Sequence, residues 1–597
     1  MTKLRVISLS LLVAFTALHL SADDYSPWGT WYRRGLLWMA TFELGDIQKR
    51  LHKENLVDTY ESFPTGGPEC GAETRTARKA DGTCNDLEKP LMGSAQTLFG
   101  RNIELAKTVG EDEVQMLNPN PRLVSEKLLA RREFQPAEGL NMLAAVWIQF
   151  MTHDWFNHVE NTYDRPYEIP NPLETSGLPV MFALRSKPHT LNRPGRPATY
   201  ANENTHWWDG SQIYGSDEVT ARSLRSGVDG KMRVTDKNRL SLDPKTGKEL
   251  TGFSRNWWTG LSLLHHLFVL EHNKIADMLI KEKRNKPGGE IWTDDKIYDT
   301  ARLINAASMA KIHTVEWTPA ILANPVLGYG MRINWTGSVN PFRDNVNRLF
   351  NFSGLVGKKR ELYGVPYSLT EEFVSVYRMH SLLPEFMSLR TQTGTATEIV
   401  ELANARDDNS HLYTDKYSLG DLMFSFGKMH PGALRIRNFP KFLRNLKVPI
   451  MGEIDMGAMD VLRDRERGVP RYNKFREAIG LKRVRTFEEL TTEPETLRDL
   501  KAVYANVEEI DLLVGCLIEP LPRGFGFGET AFQIFLLMAS RRIEADRFFT
   551  TDYRAEIYTK EGLKWIDRAS MKELLLRNMP DLKGALKNVT ETFAPWK

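Results

Sequence analysis

Long segments with the apolar spacing of an α-helix dominate this sequence, and strand-like alternation of apolar and polar residues is scarce. Polar or proline-containing stretches at residues 59–90 and 160–200 interrupt regular helix. There is no internal repeat, low-complexity tract or clear linker. The pattern predicts a mainly α fold: one large domain over residues 23–597, with long loops and little β-structure. The predicted helices are Leu140–His158, Thr259–Lys283, Thr300–His313, Ser368–Arg390 and Thr530–Arg547.

Charge and hydropathy argue against two classes of partner or location. The 597 residues are 41% hydrophobic, which is enough to bury a large core, and the formal net charge is only +3. No dense block of Lys and Arg occurs, so nothing favours nucleic acid as a partner. No apolar run reaches the roughly 20 residues that a membrane-spanning helix needs.

The first 22 residues have the pattern of a signal peptide or N-terminal anchor. Lys3 and Arg5 precede a short apolar stretch, with a small residue near its end. Leu20 lies where a small residue is preferred before cleavage, so an ordinary N-terminal helix is the alternative. Localisation therefore stays open between the secretory pathway or extracellular space and an intracellular, membrane-associated location.

Residues 31–55 form a second segment with membrane-binding character. One side of the expected helix is apolar and the other is basic, which suits peripheral association with a membrane surface. The alternative is that the apolar side packs against the core of the protein.

Three cysteines are too few for a disulfide scaffold. Cys70 and Cys84 flank a polar loop, and the sequence leaves open whether they pair in an oxidising compartment. Cys516 lies in an apolar segment that is typical of buried core. The absence of a CxxC pair argues against a cysteine zinc site and against covalent CxxCH haem attachment.

The segment "SVYRMHSLLPEFM" places Tyr377 and His380 three residues apart in apolar surroundings. Ser368 and Glu371 fit a capping box, so a helix is predicted to begin there and to carry both side chains on one face. A buried histidine needs a partner or a ligand. The alternatives are core packing and a redox pair, in which the histidine holds a metal and the tyrosine carries a radical.

A second helix, "VWIQFMTHDWFNH", places Gln149 and His153 on one face at a spacing of four residues. Asp154 points about 100° away, so it is available to a different site. The alternative is that Gln149 and His153 bond only to each other.

A third stretch, "THWWDGSQIYGS", carries oxygen donors at alternate positions. Hydroxyl, carboxylate and carbonyl oxygens suit Ca²⁺, although the acidic density of an EF-hand is missing. The candidates are Thr205, Trp207 through its carbonyl, Asp209 and Ser211, and the alternative is a plain turn.

Together these segments resemble the haem peroxidase–cyclooxygenase superfamily. Its signatures occur in order as "FMTHDW", "LLHHLFVLEHNKIA", "SVYRMHSLLP", "EEIDLLVGCLIEPL" and "ASRRIEADRFF". Within the superfamily, Tyr377 is typical of the fatty-acid oxygenases and not of the halide-oxidising peroxidases. In our alignment the distal Arg and the haem-linked Glu of those peroxidases fall at Ser254 and Trp257, with Arg255 one residue away.

Two groups of oxygenases fit less well. Cyclooxygenases carry a cysteine-rich module that three cysteines cannot build, and fused diol synthases need an additional P450 domain. The segments "YRMHSLLP", "SRRIEADRFFTTD" and "HTVEWTPAIL" most resemble the fatty-acid α-dioxygenases.

The resemblance implies one b-type haem per chain and a radical mechanism. His380 would be the proximal ligand of the haem iron, His153 the distal base and Gln149 its catalytic neighbour. Tyr377 would carry the radical that removes hydrogen from C2 of a long-chain fatty acid. O₂ would add there to give a 2-hydroperoxy acid, after activation of the enzyme by a peroxide.

It also implies a substrate clamp and a calcium site. The fatty-acid carboxylate would bind His313, Thr318 and an arginine, for which we prefer Arg542 over Arg541. Arg547 is expected to be structural. Asp154, together with Thr205, Trp207, Asp209 and Ser211, would hold Ca²⁺ and fix the helix that carries His153.

Two other functions remain as alternatives. A peroxidase acting on small reductants with hydrogen peroxide would keep His153 and His380 but would not need Tyr377 or the carboxylate clamp. An inactive adhesion or scaffold protein on this fold is expected to lack one of the haem histidines, and this sequence has both.

Overall fold

The computed structural model describes residues 37–60, 63–161, 164–172, 179–189, 197–284, 292–337, 354–394, 396–448 and 452–597. The predicted signal peptide or anchor at residues 1–22 lies outside these ranges, as does the start of the amphipathic segment at residues 31–55. No helix among the described residues is long and apolar enough to cross a membrane.

The longer helices, together with one short helix at the site, are labelled in chain order. They are α1 (Leu37–Glu54), α2 (Met142–Trp155), α3 (Thr259–Leu279), α4 (Asp294–Ile312), α5 (Pro325–Thr336), α6 (Glu371–Val376), α7 (Leu419–Lys428), α8 (Met456–Glu466), α9 (Pro494–Val503) and α10 (Glu529–Glu544).

Shorter helices fill the connections between these elements. They are Glu113–Met116, Pro121–Val124, Ser211–Tyr214, Glu218–Leu224, Thr318–Ile321, Ser410–Lys416, Lys441–Arg444, Tyr472–Ala478, Leu512–Ile518, Ala555–Tyr558, Lys560–Arg568 and Met571–Asn578. The mainly α fold is therefore confirmed.

The β-structure of the described chain consists of two-stranded antiparallel ribbons. The strands are β1 (Glu160–Asn161), β2 (Tyr167–Pro170), β3 (Val180–Ala183), β4 (Arg185–Ser186), β5 (Phe386–Leu389), β6 (Glu398–Glu401), β7 (Leu446–Val448) and β8 (Gly452–Ile454). β1 pairs with β4, β2 with β3, β5 with β6 and β7 with β8. In the ribbon that follows the site, Phe386 lies opposite Glu401 and Leu389 opposite Glu398.

Helix α3 lies at the centre of the molecule and is buried on nearly all of its sides. It packs against α2 and α4, and its polar side chains find buried partners. Glu271 accepts hydrogen bonds from Trp565 Nε1 at 2.8 Å and Asn578 Nδ2 at 2.7 Å, and it also pairs with Arg577. Polar groups that are satisfied in this way allow α3 to be buried at little net cost.

Local sequence signals explain where several helices begin. Thr293 caps α4 by accepting a hydrogen bond from the Lys296 amide at 3.2 Å. Asp455 caps α8 by accepting from the amides of Gly457 and Ala458. Pro325 begins α5, where its missing N–H would have had no helical partner.

The predicted long helix over Ser368–Arg390 is wrong. Helix α6 ends at Val376, a short 3₁₀ turn covers His380–Leu382, and the chain then enters β5. Pro384 disfavours helical geometry at Leu383, which is extended at φ −77° and ψ 128°. Tyr377 and His380 are therefore close in sequence but do not lie on one helical face.

The predicted capping box is also wrong. Thr370, not Ser368, caps α6, and its hydroxyl accepts a hydrogen bond from the Phe373 amide at 3.2 Å. The Glu371 carboxylate binds His158 Nε2 at 2.9 Å.

The described part of the amphipathic segment forms α1, and its apolar side is buried. Leu44 and Leu51 belong to the main core, where α1 packs against α5 and α10. Cys70 and Cys84 form a disulfide, and Cys516 packs partly buried against the core.

A buried histidine between α3 and its neighbours makes the fold sensitive to acid. His272 Nδ1 accepts from the Tyr214 hydroxyl at 3.0 Å, and Nε2 donates to the Gly230 carbonyl at 2.8 Å. Burial lowers the pKa of His272 to about 4, although the Gly230 carbonyl partly opposes this shift. The neutral ring therefore stabilises the folded protein above pH 6.5.

We expect this stability to be lost as the pH falls from 6.5 towards 4, because His272 then binds a proton in the unfolded chain but stays neutral in the folded chain. The loss at His272 alone is about 3 kcal/mol when complete. His272→Gln keeps one donor and one acceptor but cannot be protonated, so its melting temperature should depend less steeply on pH. Parallel curves of melting temperature against pH for the two proteins would contradict this assignment.

Candidate active site

A cavity of about 580 Å³ lies between α2 and the segment that follows α6. Gln149 and His153 reach it from α2, and Tyr377 and His380 from the other segment. Its volume is within the range of ordinary cofactor and ligand pockets. The structure therefore brings together the two histidines that the sequence predicted to share a haem.

His380 is oriented by a carboxylate. Its Nδ1 lies 2.7 Å from Asp460 Oδ2, and Asp460 is on α8. Because the acidic partner occupies Nδ1, the Nε2 atom remains for a metal, as is usual for histidine ligands. The side chain keeps 32% of its surface exposed, which suits a ligand that faces a cofactor cavity.

Asp460 is itself held by a charged network. Arg378 lies 3.7 Å from Asp460 Oδ1 and also pairs with Asp464. Ser375 donates to Asp464 Oδ2 at 2.8 Å. Burial raises the pKa of Asp464 to about 6, although Arg378 and Ser375 lower it.

His153 has the environment of a neutral base. The side chain is 6% exposed, and its Nδ1 has no hydrogen-bond partner among the described residues. Burial, assisted by His265, lowers the pKa of His153 to about 3. Gln149 Oε1 accepts from Trp258 Nε1 at 2.8 Å, so the glutamine is oriented by an indole.

The residues at this cavity fit a b-type haem. His380 keeps Nε2 available because Asp460 occupies Nδ1, and His153 lines the same cavity from α2. Arg378, Arg463 and Arg467 also line the cavity and add positive charge that suits the carboxylates of a haem.

Tyr377 is buried in an aromatic cage. Its ring packs against Trp155, Phe373 and Phe535 at centroid distances of 5.4, 4.4 and 5.8 Å. The phenol oxygen has no hydrogen bond of regular geometry within the described chain. Burial raises the pKa of Tyr377 above its usual range, although Arg542 opposes the shift, so the phenol stays neutral.

Arg542 lies beside this phenol without a counter-ion. It is 0% exposed, and none of its three side-chain nitrogens has a hydrogen-bond partner in the part of the chain that the structure describes. Its guanidinium stacks over Trp155 at 4.0 Å and Trp208 at 4.3 Å. Burial lowers the pKa of Arg542, and Tyr377 raises it.

His313 completes the cluster. Its Nδ1 accepts from Trp147 Nε1 at 3.1 Å, which leaves the proton on Nε2. That Nε2 has no partner among the described residues, and the ring packs against Trp155 and Trp208. Thr318 Oγ1 donates to the His313 carbonyl at 2.9 Å. Buried donors that lack acceptors favour an anionic ligand such as a carboxylate.

The neighbouring arginines have different surroundings. Arg541 donates to the carbonyls of Leu362, Val365 and Pro366 at 3.1, 2.9 and 3.2 Å, so it holds a loop. Arg547 binds the carbonyls of Asn85, Arg75 and Thr74, as expected for a structural residue.

The predicted calcium donors lie around buried carboxylates. Asp154 Oδ1 accepts from the Ser211 amide at 2.6 Å and from its hydroxyl at 2.8 Å. Asp154 Oδ2 and Thr205 Oγ1 have no partners among the described residues. Burial, and Asp209 next, raise the pKa of Asp154 to about 8. The donors fit a cation, although Asp209 already binds Arg302 at 3.1 Å.

No cluster of three or more His, Cys, Asp or Glu side chains that could hold a metal occurs in the described ranges. Trp207 would contribute its carbonyl; its indole donates to the Gly82 carbonyl at 3.1 Å. A site here therefore depends on hydroxyl and carbonyl oxygens as much as on carboxylates.

The positions compared with peroxidases carry other contacts. Trp257 Nε1 donates to Glu249 at 2.6 Å, and Arg255 donates to Asn157 at 3.1 Å. Arg255 lines the cavity, but its side chain is 58% exposed. The residues that sequence reasoning missed are Asp460, Trp155 and Trp208, which act through contacts with distant segments.

The chain is similar to a known protein family, to named relatives and to solved structures. The model of the animal haem peroxidase family matches residues 77–590. Alpha-dioxygenase 2 of Arabidopsis thaliana is 40% identical over 595 residues, which cover 95% of this chain and 91% of the relative. A crystal structure of a Tyr-to-Phe variant of the Oryza sativa fatty acid alpha-dioxygenase with palmitic acid has a TM-score of 0.87, at 35% identity and 96% coverage of both chains. A peroxidase of Caenorhabditis elegans is 24% identical, over 88% of this chain and 73% of its own.

The unpaired charge of Arg542 predicts an unusual effect on stability. We expect Arg542→Met to raise the free energy of unfolding by about 1–4 kcal/mol in the absence of any ligand, because a buried charge is replaced by an apolar side chain of similar size. Arg541→Met is the matched control and should destabilise by about 1–3 kcal/mol, because three carbonyls lose their donor. Thermal unfolding compares the two; equal destabilisation would assign Arg542 a structural role.

Proposed function

The chain belongs to the animal haem peroxidase family and, within it, to the fatty-acid alpha-dioxygenases, and from this membership we propose how its own residues perform the reaction. The enzyme adds O₂ to C2 of a fatty acid. The observation that carries the assignment of residues is the buried Arg542, which lies beside the Tyr377 phenol and has no salt-bridge partner among the described residues.

The carboxylate of the fatty acid binds in the buried cluster of Arg542, His313 and Thr318, next to Tyr377. Arg542 supplies the positive charge, and His313 Nε2 supplies a neutral donor. Thr318 assists from the following turn, where its hydroxyl exchanges its bond to the His313 carbonyl for one to the substrate. A hydrocarbon chain has no polar handle, so fixing the head group is what selects C2 as the reacting carbon.

His380 would hold the haem iron through Nε2, because Asp460 occupies Nδ1, and His153 and Gln149 would approach the haem from α2. When bound, the haem supplies the one-electron oxidising power for the reaction, after activation by a peroxide. His153 stays neutral at physiological pH because its pKa is about 3, so it can accept a proton from that peroxide.

Tyr377 carries the radical. Its phenol first gives up one electron and one proton, for which the activating peroxide, reduced to an alcohol and water, is the net acceptor. The oxygen radical that remains takes one hydrogen atom from C2 of the bound acid and re-forms the phenol. O₂ then adds to the carbon radical, and the resulting peroxyl radical recovers a hydrogen atom from Tyr377. The balance is one fatty acid and one O₂ consumed for one 2-hydroperoxy acid, with the tyrosyl radical regenerated. The aromatic cage around Tyr377 excludes water that would quench it.

A peroxidase acting on small reductants would leave Tyr377 and the unpaired Arg542 without a role, and the peroxidase relative is the more distant one. Peripheral association with a membrane, and the signal peptide or anchor, stay predictions.

The radical assignment is tested by Tyr377→Phe. We expect the haem-loaded variant to form no 2-hydroperoxypalmitate from palmitate and O₂, because phenylalanine has no O–H hydrogen to exchange, while its haem absorption spectrum stays close to wild type. Mass spectrometry with ¹⁸O₂ identifies the product. Tyr298→Phe is the matched control, because Tyr298 is also buried with an unpartnered hydroxyl. Wild-type turnover by Tyr377→Phe would remove tyrosine from the mechanism.

We further propose one structural Ca²⁺ per chain, held by Asp154, Thr205, Trp207, Asp209 and Ser211. Thr205→Val is isosteric and should weaken Ca²⁺ binding about 10- to 100-fold, because it removes a buried hydroxyl from the proposed set of oxygen donors. Metal analysis and chelator titration measure this. Thr300→Val removes a buried hydroxyl that bonds only within α4 and should leave the Ca²⁺ content unchanged. Purified wild-type enzyme without bound Ca²⁺ would reject the site.

A further inference from the structure

His380 lies in a single 3₁₀ turn, in which the Leu383 amide donates to the His380 carbonyl at 3.1 Å. Because this turn ends at Leu382, the carbonyls that follow His380 have no partners within a helix. Three consecutive carbonyls, those of Ser381, Leu382 and Leu383, are nevertheless satisfied by donors from elsewhere in the chain.

A single buried arginine satisfies two of these carbonyls. Arg131 Nη2 donates to Ser381 O at 3.1 Å and to Leu383 O at 2.9 Å, across about 250 residues of sequence. The Gly432 amide donates to the third, Leu382 O, at 2.9 Å. The guanidinium of Arg131 is only 2% exposed, and it pairs with Glu385 at 3.4 Å.

The arginine is itself fixed in place. Asn438 Oδ1 accepts from Arg131 Nε at 2.9 Å, and the Asn438 carbonyl accepts from Nη2 at 2.6 Å. The Asn438 amide group donates to the carbonyls of Gln135 and Ala433 at 2.8 Å. The Arg131 guanidinium, and Asn438 which binds it, are therefore each held by several hydrogen bonds.

From these contacts we propose that Arg131 is a positioning residue for the proximal haem ligand. It fixes the position of the backbone that follows His380, while Asp460 fixes the orientation of the His380 imidazole. The inference rests on the proposed role of His380. Without the Arg131 side chain, the carbonyls of Ser381 and Leu383 lose their donor and the turn shifts. The imidazole of His380 would then bind the iron at a changed angle and distance.

Gly432 offers an independent way to disturb the same turn. A Cβ at this position would lie 2.1 Å from Ser381 O and 3.0 Å from Arg131 Nη2. Gly432→Ala therefore pushes on the braced carbonyl without removing the arginine. Gly139→Ala is its matched control, because nothing lies within 4 Å of a Cβ there.

The experiment uses haem-loaded enzyme and does not depend on turnover. Two quantities are measured: the rate of haem transfer to excess apomyoglobin, and the iron–histidine stretch of the ferrous protein by resonance Raman. We expect Arg131→Met and Gly432→Ala each to release haem at least about tenfold faster and to shift the stretch. Arg131→Lys keeps the charge but not the fork, so its effect should be intermediate.

Arg547→Met controls for the loss of a buried arginine that binds three carbonyls far from the cavity. It should lower the melting temperature without changing either haem measurement. If Arg131→Met behaves as Arg547→Met does, Arg131 is only structural and the inference is overturned. If Arg131→Met does not fold, Gly432→Ala decides: release within about twofold of wild type and an unshifted stretch overturn the inference.

His380→Gly separates this inference from its premise. Loss of the iron–histidine stretch in this variant, with recovery on adding imidazole, supports His380 as the ligand. A stretch that persists without His380 rejects the ligand assignment, and with it the proposed role of Arg131. An iron–histidine stretch that requires His380 but is unchanged by the Arg131 and Gly432 substitutions rejects only the positioning role of Arg131.

Discussion

The hydrogen bond between His380 Nδ1 and Asp460 Oδ2 is the contact on which the site depends. It joins a short turn after α6 to the middle of α8, and it leaves Nε2 as the only ring nitrogen that can take a metal. The position of Asp460 in turn depends on the position of α8. The ion pair between Arg378 and Asp464 connects α8 to the segment that carries Tyr377. His380 and the segment that carries Tyr377 are thus held by one network, so their relative position does not rely on the geometry of a shared helix.

A second constraint is the dry, positively charged cluster around Arg542. A buried guanidinium without a carboxylate is costly, and stacking on Trp155 and Trp208 offsets only part of the cost. In the proposed mechanism the missing counter-ion is the fatty acid itself. Selectivity for a carboxylate and exclusion of water then have the same origin, because the cage that protects Tyr377 also keeps Arg542 unsolvated.

Sequence patterns predicted the long helices α2, α3, α4 and α10, and they singled out His153 and His380, which the structure places at one cavity. Apolar periodicity is local, so these four helices lie within about six residues of their predicted bounds. The same periodicity failed over Ser368–Arg390, because Pro384 and donors from Arg131 and Gly432 favour a braced turn over a helix there. Tyr377 and His380 are neighbours as predicted, but for a different structural reason.

The sequence by itself determined the chemistry that is available: two histidines proposed to face a haem, a tyrosine near one of them, and arginines on a late helix. These follow from residue type and short spacing. Only the tertiary structure decided which groups meet. Adjacent arginines on a helix point about 100° apart, and folding directs Arg541 to loop carbonyls and Arg542 to Tyr377. Asp460, Trp155 and Arg131 gain their roles through contacts between distant segments, which no local pattern encodes, and burial then gives those contacts their strength.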